Sequence, residues 1–155
     1  PLISEFSRLV GIDGKSKMSK SLNNCIYLSD NEDQVIKKVM KMFTDPNRTS
    51  PDVPGKIEGN PVFIYHDIFN KDTDELNDFK DRYRKGKIGD VEVKKSLAKN
   101  INSFLEPIRE KRAQIFKNRG ELFDIIIEGS KRARKIAKEN IEKIKDSMKI
   151  TFKEI

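Results

Sequence analysis

The sequence has one cysteine, one histidine and no long apolar run, and each shortage excludes a class of site. Cys25 has no second cysteine with which to form an internal disulfide, and His66 leaves no cluster with metal-ligand spacing. We therefore expect no metal site, and we interpret both residues as buried structural side chains. No apolar run approaches the roughly 20 residues of a membrane span, and the first residues lack a signal-peptide pattern. These features favour a cytoplasmic protein without a membrane partner.

Charge is plentiful, and basic residues exceed acidic ones. The 155 residues include 32 Lys and Arg against 25 Asp and Glu, which gives a formal net charge of +7. The charged fraction is 37% and the apolar fraction 35%, a balance that favours a helical protein over a dense β-sandwich. From Pro107 to Ile155 there are 14 basic and 8 acidic residues. This excess favours a polyanionic partner without identifying it.

Residues 11–23, which we call the lysine loop, place two glycines before three lysines that alternate with serines. The segment reads Gly-Ile-Asp-Gly-Lys-Ser-Lys-Met-Ser-Lys-Ser-Leu-Asn. Glycines let the backbone approach an anion, peptide N–H groups and hydroxyls donate hydrogen bonds to it, and lysines add positive charge. The composition therefore predicts a phosphate-binding loop, although a solvated turn has a similar composition.

Capping and turn signals divide the rest of the chain into helices. Ser29 and Glu32 have capping-box spacing, which predicts a helix from there to about Phe43, after a short extended segment at residues 25–28. Repeated Pro and Gly signals predict a long loop over residues 44–60. Further helix starts are predicted at Asn60-Pro61, at Asp72 with a stop at Gly86, and at Gly89-Asp90, where the longest helix begins. Pro107 should kink that helix unless a new helix begins there.

The last part of the chain carries a predicted stop at residues 118–120, a short apolar helix at 122–127 and a break at Gly129-Ser130. The final helix then has an apolar face that we assign to a core: Ala133, Ala137, Ile141, Ile144 and Met148. Its basic face fits either a solvated surface or contact with an RNA backbone: Lys131, Arg134, Lys138, Lys145 and Lys149.

The run Lys17-Met-Ser-Lys-Ser21 resembles, without interruption, the second signature loop (KMSKS) of class I aminoacyl-tRNA synthetases. Further blocks across nearly the whole chain are similar to the C-terminal half of bacterial tryptophanyl-tRNA synthetases: residues 11–14, 26–30, 44–48, 52–63, 89–95 and 105–112. The tyrosyl family shares the fold and is the alternative. Its bacterial members often have an altered lysine loop and carry an additional RNA-binding module after the helical domain.

The resemblance implies a mainly α structure. Residues 31–155, including the Pro/Gly-rich loop at 44–60, would form a helical bundle that binds the anticodon. Residues 1–30 would be the end of a Rossmann-type catalytic domain with its KMSKS loop. The first class signature, His-Ile-Gly-His, has no counterpart in this sequence, since the only histidine is His66 without an adjacent glycine. We therefore expect a C-terminal portion that is inactive alone, with a lysine loop that is mobile without ATP.

The resemblance also implies roles for residues of the loop. Lys17 and Lys20 would be catalytic, because they would stabilise the charge that accumulates on the β- and γ-phosphates of ATP. Lys17, Met18, Ser19, Lys20 and Ser21 would bind ATP. Lys15 lies outside the match and is interpreted as an auxiliary charge, while Gly11 and Gly14 are candidate hinges.

The implied substrates are ATP with Mg²⁺, tryptophan and tRNA(Trp), with no cofactor tightly bound to this portion. The implied parent enzyme is a homodimer. Candidate tRNA contacts rest on charge placement alone: Lys131, Arg134 and Lys138. A standalone basic helical module that binds RNA remains the second hypothesis, since non-specific contact with an RNA backbone needs only such a charged face.

Overall fold

A computed structural model describes residues 8–150, and its regular structure is helical. The helices in chain order are α1 (Glu32–Met40), α2 (Pro61–Phe69), α3 (Thr73–Arg84), α4 (Asp90–Lys117) and α5 (Arg119–Ser147). Between residues 8 and 150 there is no β-strand, and an isolated antiparallel bridge joins Val10 to Lys17. The mainly α class predicted from the sequence is confirmed. The predicted extended segment at 25–28 has no strand partner in this range and leads into a turn closed by Asp30 N–H to Tyr27 O at 3.0 Å.

The chain divides into two compact units between Arg109 and Glu110. Within the described range, the first unit contains the lysine loop, α1 to α3 and most of α4. The second contains the end of α4 and α5. The domain boundary that the family resemblance implies near residue 30 stays a prediction.

The first unit has one apolar core, to which α1, α2, α3 and α4 all contribute buried side chains. Aromatic rings lie at its centre, where Phe63 and Tyr83 meet edge to face with their centroids 4.8 Å apart. Leu9, Val10, Ile12 and Met18 pack against this core from the N-terminal side. The lysine loop therefore begins on a surface that four helices support.

Helix α1 begins and ends differently from the prediction. Its N-cap is Asn31, which forms a reciprocal capping box with Gln34, so the Ser29–Glu32 pairing was wrong. Asp30 explains the shift, because its carboxylate accepts hydrogen bonds from Tyr27 N–H at 2.8 Å and Lys38 Nζ at 2.5 Å and so holds the turn before the helix. The helix ends at Met40 rather than near Phe43, and Lys94 Nζ binds the carbonyl oxygens of Met40 and Met42 at this end.

The predicted starts of α2 and α3 are confirmed. Asn60 caps α2, with Pro61 at the first helical position, and Asp72 caps α3 by accepting from the N–H groups of Asp74 and Glu75. Gly86 follows the C-cap of α3 with φ of +62°, in the left-handed region that glycine adopts without strain. These signals are local in sequence, which is why the pattern alone located them.

The Pro/Gly-rich loop is fixed by one buried arginine. Arg48 donates from Nε to Val53 O at 2.9 Å, and it also donates to the carbonyl oxygens of Pro51 and Ile88. Its Nη1 lies 2.8 Å from the Asp90 carboxylate, and its guanidinium lies 4.0 Å from the centroid of the Tyr83 ring. The loop is thus tied to the beginning of α4.

The second half of the chain corrects three predictions. Helix α5, with 29 residues against 28 in α4, is the longer helix, and it includes residues 122–127, which were predicted to form a separate short helix. Pro107 lies inside α4, and the kink predicted there stays a prediction. Helix α4 ends at Lys117, so the stop predicted at residues 118–120 is confirmed at Asn118, whose side chain then caps α5 by accepting from Glu121 N–H at 3.3 Å. Gly129 lies inside α5, because one helical glycine costs only about 1 kcal/mol relative to alanine and a long helix tolerates that.

The core assignment of the final apolar face was also wrong, because no described residue of α5 is buried. Ile141 is 51% exposed and Met148 63% exposed. A period of 3.6 residues predicts that a helix has an apolar face but does not specify what covers it.

The single histidine and the single cysteine are both buried, as predicted. His66 Nε2 lies 3.0 Å from Val93 O, and Asn70 Nδ2 lies 3.3 Å from His66 Nδ1. Since a carbonyl oxygen only accepts, Nε2 carries the proton and Nδ1 accepts from the amide of Asn70. None of the helices in the described range is long and apolar enough to cross a membrane.

Candidate functional site

The lysine loop folds back on itself at its base. Val10 pairs with Lys17, Gly11 N–H donates to Ser16 O at 2.6 Å, and Met18 N–H donates to Leu9 O at 3.3 Å. Gly14 closes the turn with φ of +69°, where a side chain would introduce strain. The signature residues that follow are therefore held by backbone hydrogen bonds on the side facing the core.

Asn24, immediately after the loop, connects its two sides. This side chain is only 3% exposed, and its Oδ1 accepts from Ser19 N–H at 2.7 Å. Its Nδ2 lies within hydrogen-bond distance of three oxygens, at 3.2 Å from Asp13 Oδ2, 3.2 Å from Ser16 Oγ and 3.3 Å from Lys17 O. One amide thereby holds the backbone at Lys17 and at Ser19, two residues of the signature.

Asn24 was not among the functional residues predicted from the sequence. It lies in a loop without hydrophobic periodicity, so nothing in the pattern predicted its burial. In the folded chain, a Cβ at Gly11 would overlap Asn24 Nδ2 and lie 2.7 Å from Asn24 Cγ. The lack of a side chain at Gly11 leaves space for this amide. Its role as a hinge stays a prediction, as does the mobility of the loop.

Asp13 is an acidic side chain that belongs to this hydrogen-bond network. Burial favours its neutral form, but hydrogen bonds from the Asn24 amide and from the backbone N–H groups of Lys15 and Ser16 hold the pKa of Asp13 below its usual value. The Asp13 carboxylate therefore stays ionised, and it accepts hydrogen bonds from the loop backbone.

The loop presents positive charge and hydroxyl groups to solvent. Lys15, Lys17 and Lys20 are exposed, and no ion pair with another residue in the range 8–150 involves them. Ser19 Oγ and Ser21 Oγ lie 2.9 Å apart. Met18 is partly buried against the core of the first unit. This arrangement can bind an anion with several oxygens, such as a polyphosphate.

The three candidate RNA-binding residues lie on α5, in the second unit. Lys131, Arg134 and Lys138 are all exposed, and their spacing of three and four residues puts them on one helical face. Lys131 Nζ lies 2.8 Å from Glu128 Oε1, so part of its charge is already compensated. Arg134 and Lys138 have no acidic partner among the described residues.

Comparison with known proteins identifies relatives over nearly the full chain. The tryptophan–tRNA ligase of Treponema pallidum (strain Nichols) is 52% identical over 147 residues, which are 95% of this chain and 44% of the relative. The tryptophan–tRNA ligase of Borreliella burgdorferi is 53% identical over 139 residues, which are 89% of this chain and 40% of the relative. The chain thus spans less than half the length of these curated relatives.

A solved structure agrees with these matches. The crystal structure of tryptophanyl-tRNA synthetase from Campylobacter jejuni, complexed with ADP and tryptophan, superimposes with a TM-score of 0.74 and 30% identity, covering 94% of this chain and 44% of that one. The family profile "tRNA synthetases class I (W and Y)" matches residues 2–106. Since this match covers well over half of the sequence and includes the intact lysine loop, the chain belongs to the class I tRNA synthetases of the tryptophan and tyrosine family.

Proposed function

We propose that this chain supplies the KMSKS loop and the tRNA-binding helices of a tryptophan–tRNA ligase, which activates tryptophan with ATP and charges tRNA(Trp). The observation that carries the proposal is the intact Lys17–Ser21 loop, folded around Asn24 with its lysines exposed. Relatives at 52% and 53% identity bear the name tryptophan–tRNA ligase, which favours this reaction over the tyrosyl alternative.

The proposed chemistry makes use of the charges of the loop. A carboxylate oxygen of tryptophan attacks the α-phosphorus of ATP, the bond to the β-phosphate oxygen breaks, and pyrophosphate leaves. Negative charge then grows on the β- and γ-phosphates, where Lys17 and Lys20 would neutralise it. Ser19 and Ser21 would donate hydrogen bonds to phosphate oxygens. Interactions that strengthen in this way only as the charge develops accelerate the reaction.

Met18 would have a different role from its neighbours. Its partly buried side chain packs against the core of the first unit, so it would anchor the loop beside the nucleotide while the flanking lysines remain free to contact phosphate. Closure of the loop after ATP binds would bring those lysines into place.

Magnesium would reach the site with ATP, bound to its phosphate oxygens. In the part of the chain that the structure describes, no group of three or more His, Cys, Asp or Glu side chains is arranged to hold a metal ion.

The remaining functions of the enzyme require further protein. The chain spans 44% of the Treponema relative, so the tryptophan pocket and most of the ATP site would lie outside it. On this proposal the chain alone is inactive, the complete enzyme is a homodimer, and it acts in the cytoplasm. Lys131, Arg134 and Lys138 would contact the tRNA backbone.

The test is tryptophan-dependent ATP–pyrophosphate exchange by the full-length protein that carries this segment. Lys17→Ala and Lys20→Ala should each reduce kcat on the order of 100- to 1,000-fold and leave tryptophan binding unchanged, because each removes a donor to developing charge. Lys37→Ala, an exposed lysine on α1, is the matched control and should retain activity. Absence of exchange in the wild type would refute the proposed function, and equal losses of exchange and tryptophan binding would assign the loop a structural role.

A further inference from the structure

A buried lysine of α4 binds the end of α1. Lys94 is 6% exposed, and its Nζ donates to Met42 O at 2.7 Å and to Met40 O at 3.1 Å. The last carbonyl groups of a helix have no intrahelical partner, and a cation is favoured there by the helix dipole. Lys94 therefore satisfies two carbonyl groups that would otherwise be unpaired in a largely buried position.

The lysine loop rests on the same end of α1. Phe43, directly after Met42, donates its N–H to Ile12 O at 2.8 Å. The Phe43 ring lies close beneath Gly14, since a Cβ built on Gly14 would be 3.1 Å from its Cδ1 atom. A continuous path of contacts thus leads from Lys94 through Met42 and Phe43 to the turn of the lysine loop.

Lys94 is held in this position at some cost. Burial lowers the pKa of its ammonium group, and the nearby charge of Asp90 opposes that shift only in part. A buried ammonium group is retained where its hydrogen bonds offset the loss of hydration, and here both hydrogen bonds go to the turn that supports the loop.

We propose that Lys94 is a positioning residue for the lysine loop: by fixing the Met40–Phe43 turn it sets the surface on which Ile12 and Gly14 lie, and so the place of Lys17 and Lys20. This inference rests on the proposed function for its catalytic consequence. The structural part, a coupling between Lys94 and the loop, is independent of any reaction.

The structural part is tested in this chain by amide hydrogen exchange. Lys94→Met removes both donors, and the amides of Phe43, Gly11 and Met18 should exchange about tenfold faster. Lys95→Met, the same substitution at the adjacent exposed position, is the control and should leave these amides unchanged. Ile101→Val controls for general loosening of the core, because it should speed exchange throughout the first unit rather than at the loop. Equal exchange in Lys94→Met and Lys95→Met, or a uniform rise, would overturn the proposal.

The catalytic part is tested by pyrophosphate exchange in the full-length protein. Lys94→Met should lower kcat about 10- to 100-fold with KM for tryptophan unchanged, as expected when charged groups are displaced from phosphate. In a background that carries both Lys17→Ala and Lys20→Ala, the same substitution should cost no more than about twofold, because the charged groups that Lys94 positions are then absent. An undiminished loss in that background would show that Lys94 acts independently of the loop. If the wild type lacks exchange, the proposed function fails, and the hydrogen-exchange result still decides the coupling.

Discussion

A single amide at Asn24 organises the signature residues, so its removal is the most direct test of the site. Asn24→Ala leaves Ser19 N–H and Lys17 O without their partner, and we expect the free energy of unfolding to fall by about 1–3 kcal/mol. Urea denaturation of this chain measures the change. In the full-length protein, kcat for exchange should fall while tryptophan binding is retained.

A second substitution at Asn24 and a control substitution at Leu22 complete this test. Asn24→Asp keeps an acceptor for Ser19 N–H but removes the donors and places a second carboxylate beside Asp13, so it should be at least as harmful as Asn24→Ala. Leu22→Ala is the control, since Leu22 is 60% exposed. An Asn24→Ala protein as stable and as active as Leu22→Ala would show that the amide does not hold the loop.

His66 makes stability depend on pH. Burial is the main cause that lowers its pKa, and Lys80 adds to it, while the Val93 carbonyl and the carboxylates of Glu75 and Asp67 oppose the shift. Asn70 also favours the neutral ring, because its amide donates to Nδ1. In the unfolded chain the histidine has a pKa near 6.5, whereas in the folded chain its pKa is lower. Below about pH 6.5 the unfolded state therefore binds more protons than the folded state. The free energy of unfolding should therefore fall as pH decreases below about 6.5.

Urea denaturation between about pH 5.5 and 7.5 measures this dependence, in a range where most carboxylates remain ionised. His66→Gln removes the titrating group and should flatten the curve, even if it lowers stability at every pH. Parallel curves for wild type and variant would exclude His66 as the source.

The individual residues differ in how well the sequence predicts them. Lys17 and Lys20 were identified because the signature is contiguous, although their roles stay predictions. Arg48 and Lys94 were missed because each is buried against partners far away in the sequence, whereas Asn24 was missed because its loop has no hydrophobic periodicity. Arg48 meets Asp90 across 42 positions and Lys94 meets Met42 across 52, which no local pattern encodes.

At the scale of elements, the starts of α2 and α3 and the end of α3 were predicted, whereas the end of α1 and the extent of α5 were not. The N-caps of α2 and α3 are single residues whose side chains bind N–H groups two or three positions ahead, so the signal is local. Lys94 of α4 binds the end of α1, and α5 continues through Gly120 and Gly129 although each glycine lowers the stability of a helix. Both features depend on the sum of several favourable and unfavourable free-energy terms, which no short sequence motif encodes.

Gly129 offers a test of that balance. It is helical and no atom lies within 4 Å of a Cβ built there, so Gly129→Ala should raise the free energy of unfolding by about 0.5–1 kcal/mol. Circular dichroism at 222 nm during thermal unfolding measures the gain. Gly86→Ala should do the opposite, because φ there is +62° and the Cβ would overlap Asp52 O. A destabilised Gly129→Ala protein would indicate that the helix breaks at this position.

For the whole molecule, the sequence predicted which charged residues are exposed better than it predicted which apolar residues are buried. Apart from the half-buried Arg109, the basic residues in the described part of 107–155 are exposed, as a solvated or RNA-binding face requires. The apolar residues of α5 are exposed as well, with Phe123 at 63% and Ile136 at 59%. Composition specifies how much apolar surface exists, whereas burial depends on which surfaces meet.

On the proposed function, the basic face of α5 contacts the tRNA backbone in the full-length protein, and the salt dependence of tRNA(Trp) binding tests this. Arg134→Ala and Lys138→Ala should each weaken binding and reduce the slope of log Kobs against log salt by about 1, because each removes one phosphate contact. Lys131→Ala should have a smaller effect, since Glu128 already compensates its charge. Lys37→Ala on α1 is the control. Unchanged slopes would remove α5 from the interface, and equal affinity for tRNA(Trp) and unrelated tRNAs would favour a non-specific RNA-binding module.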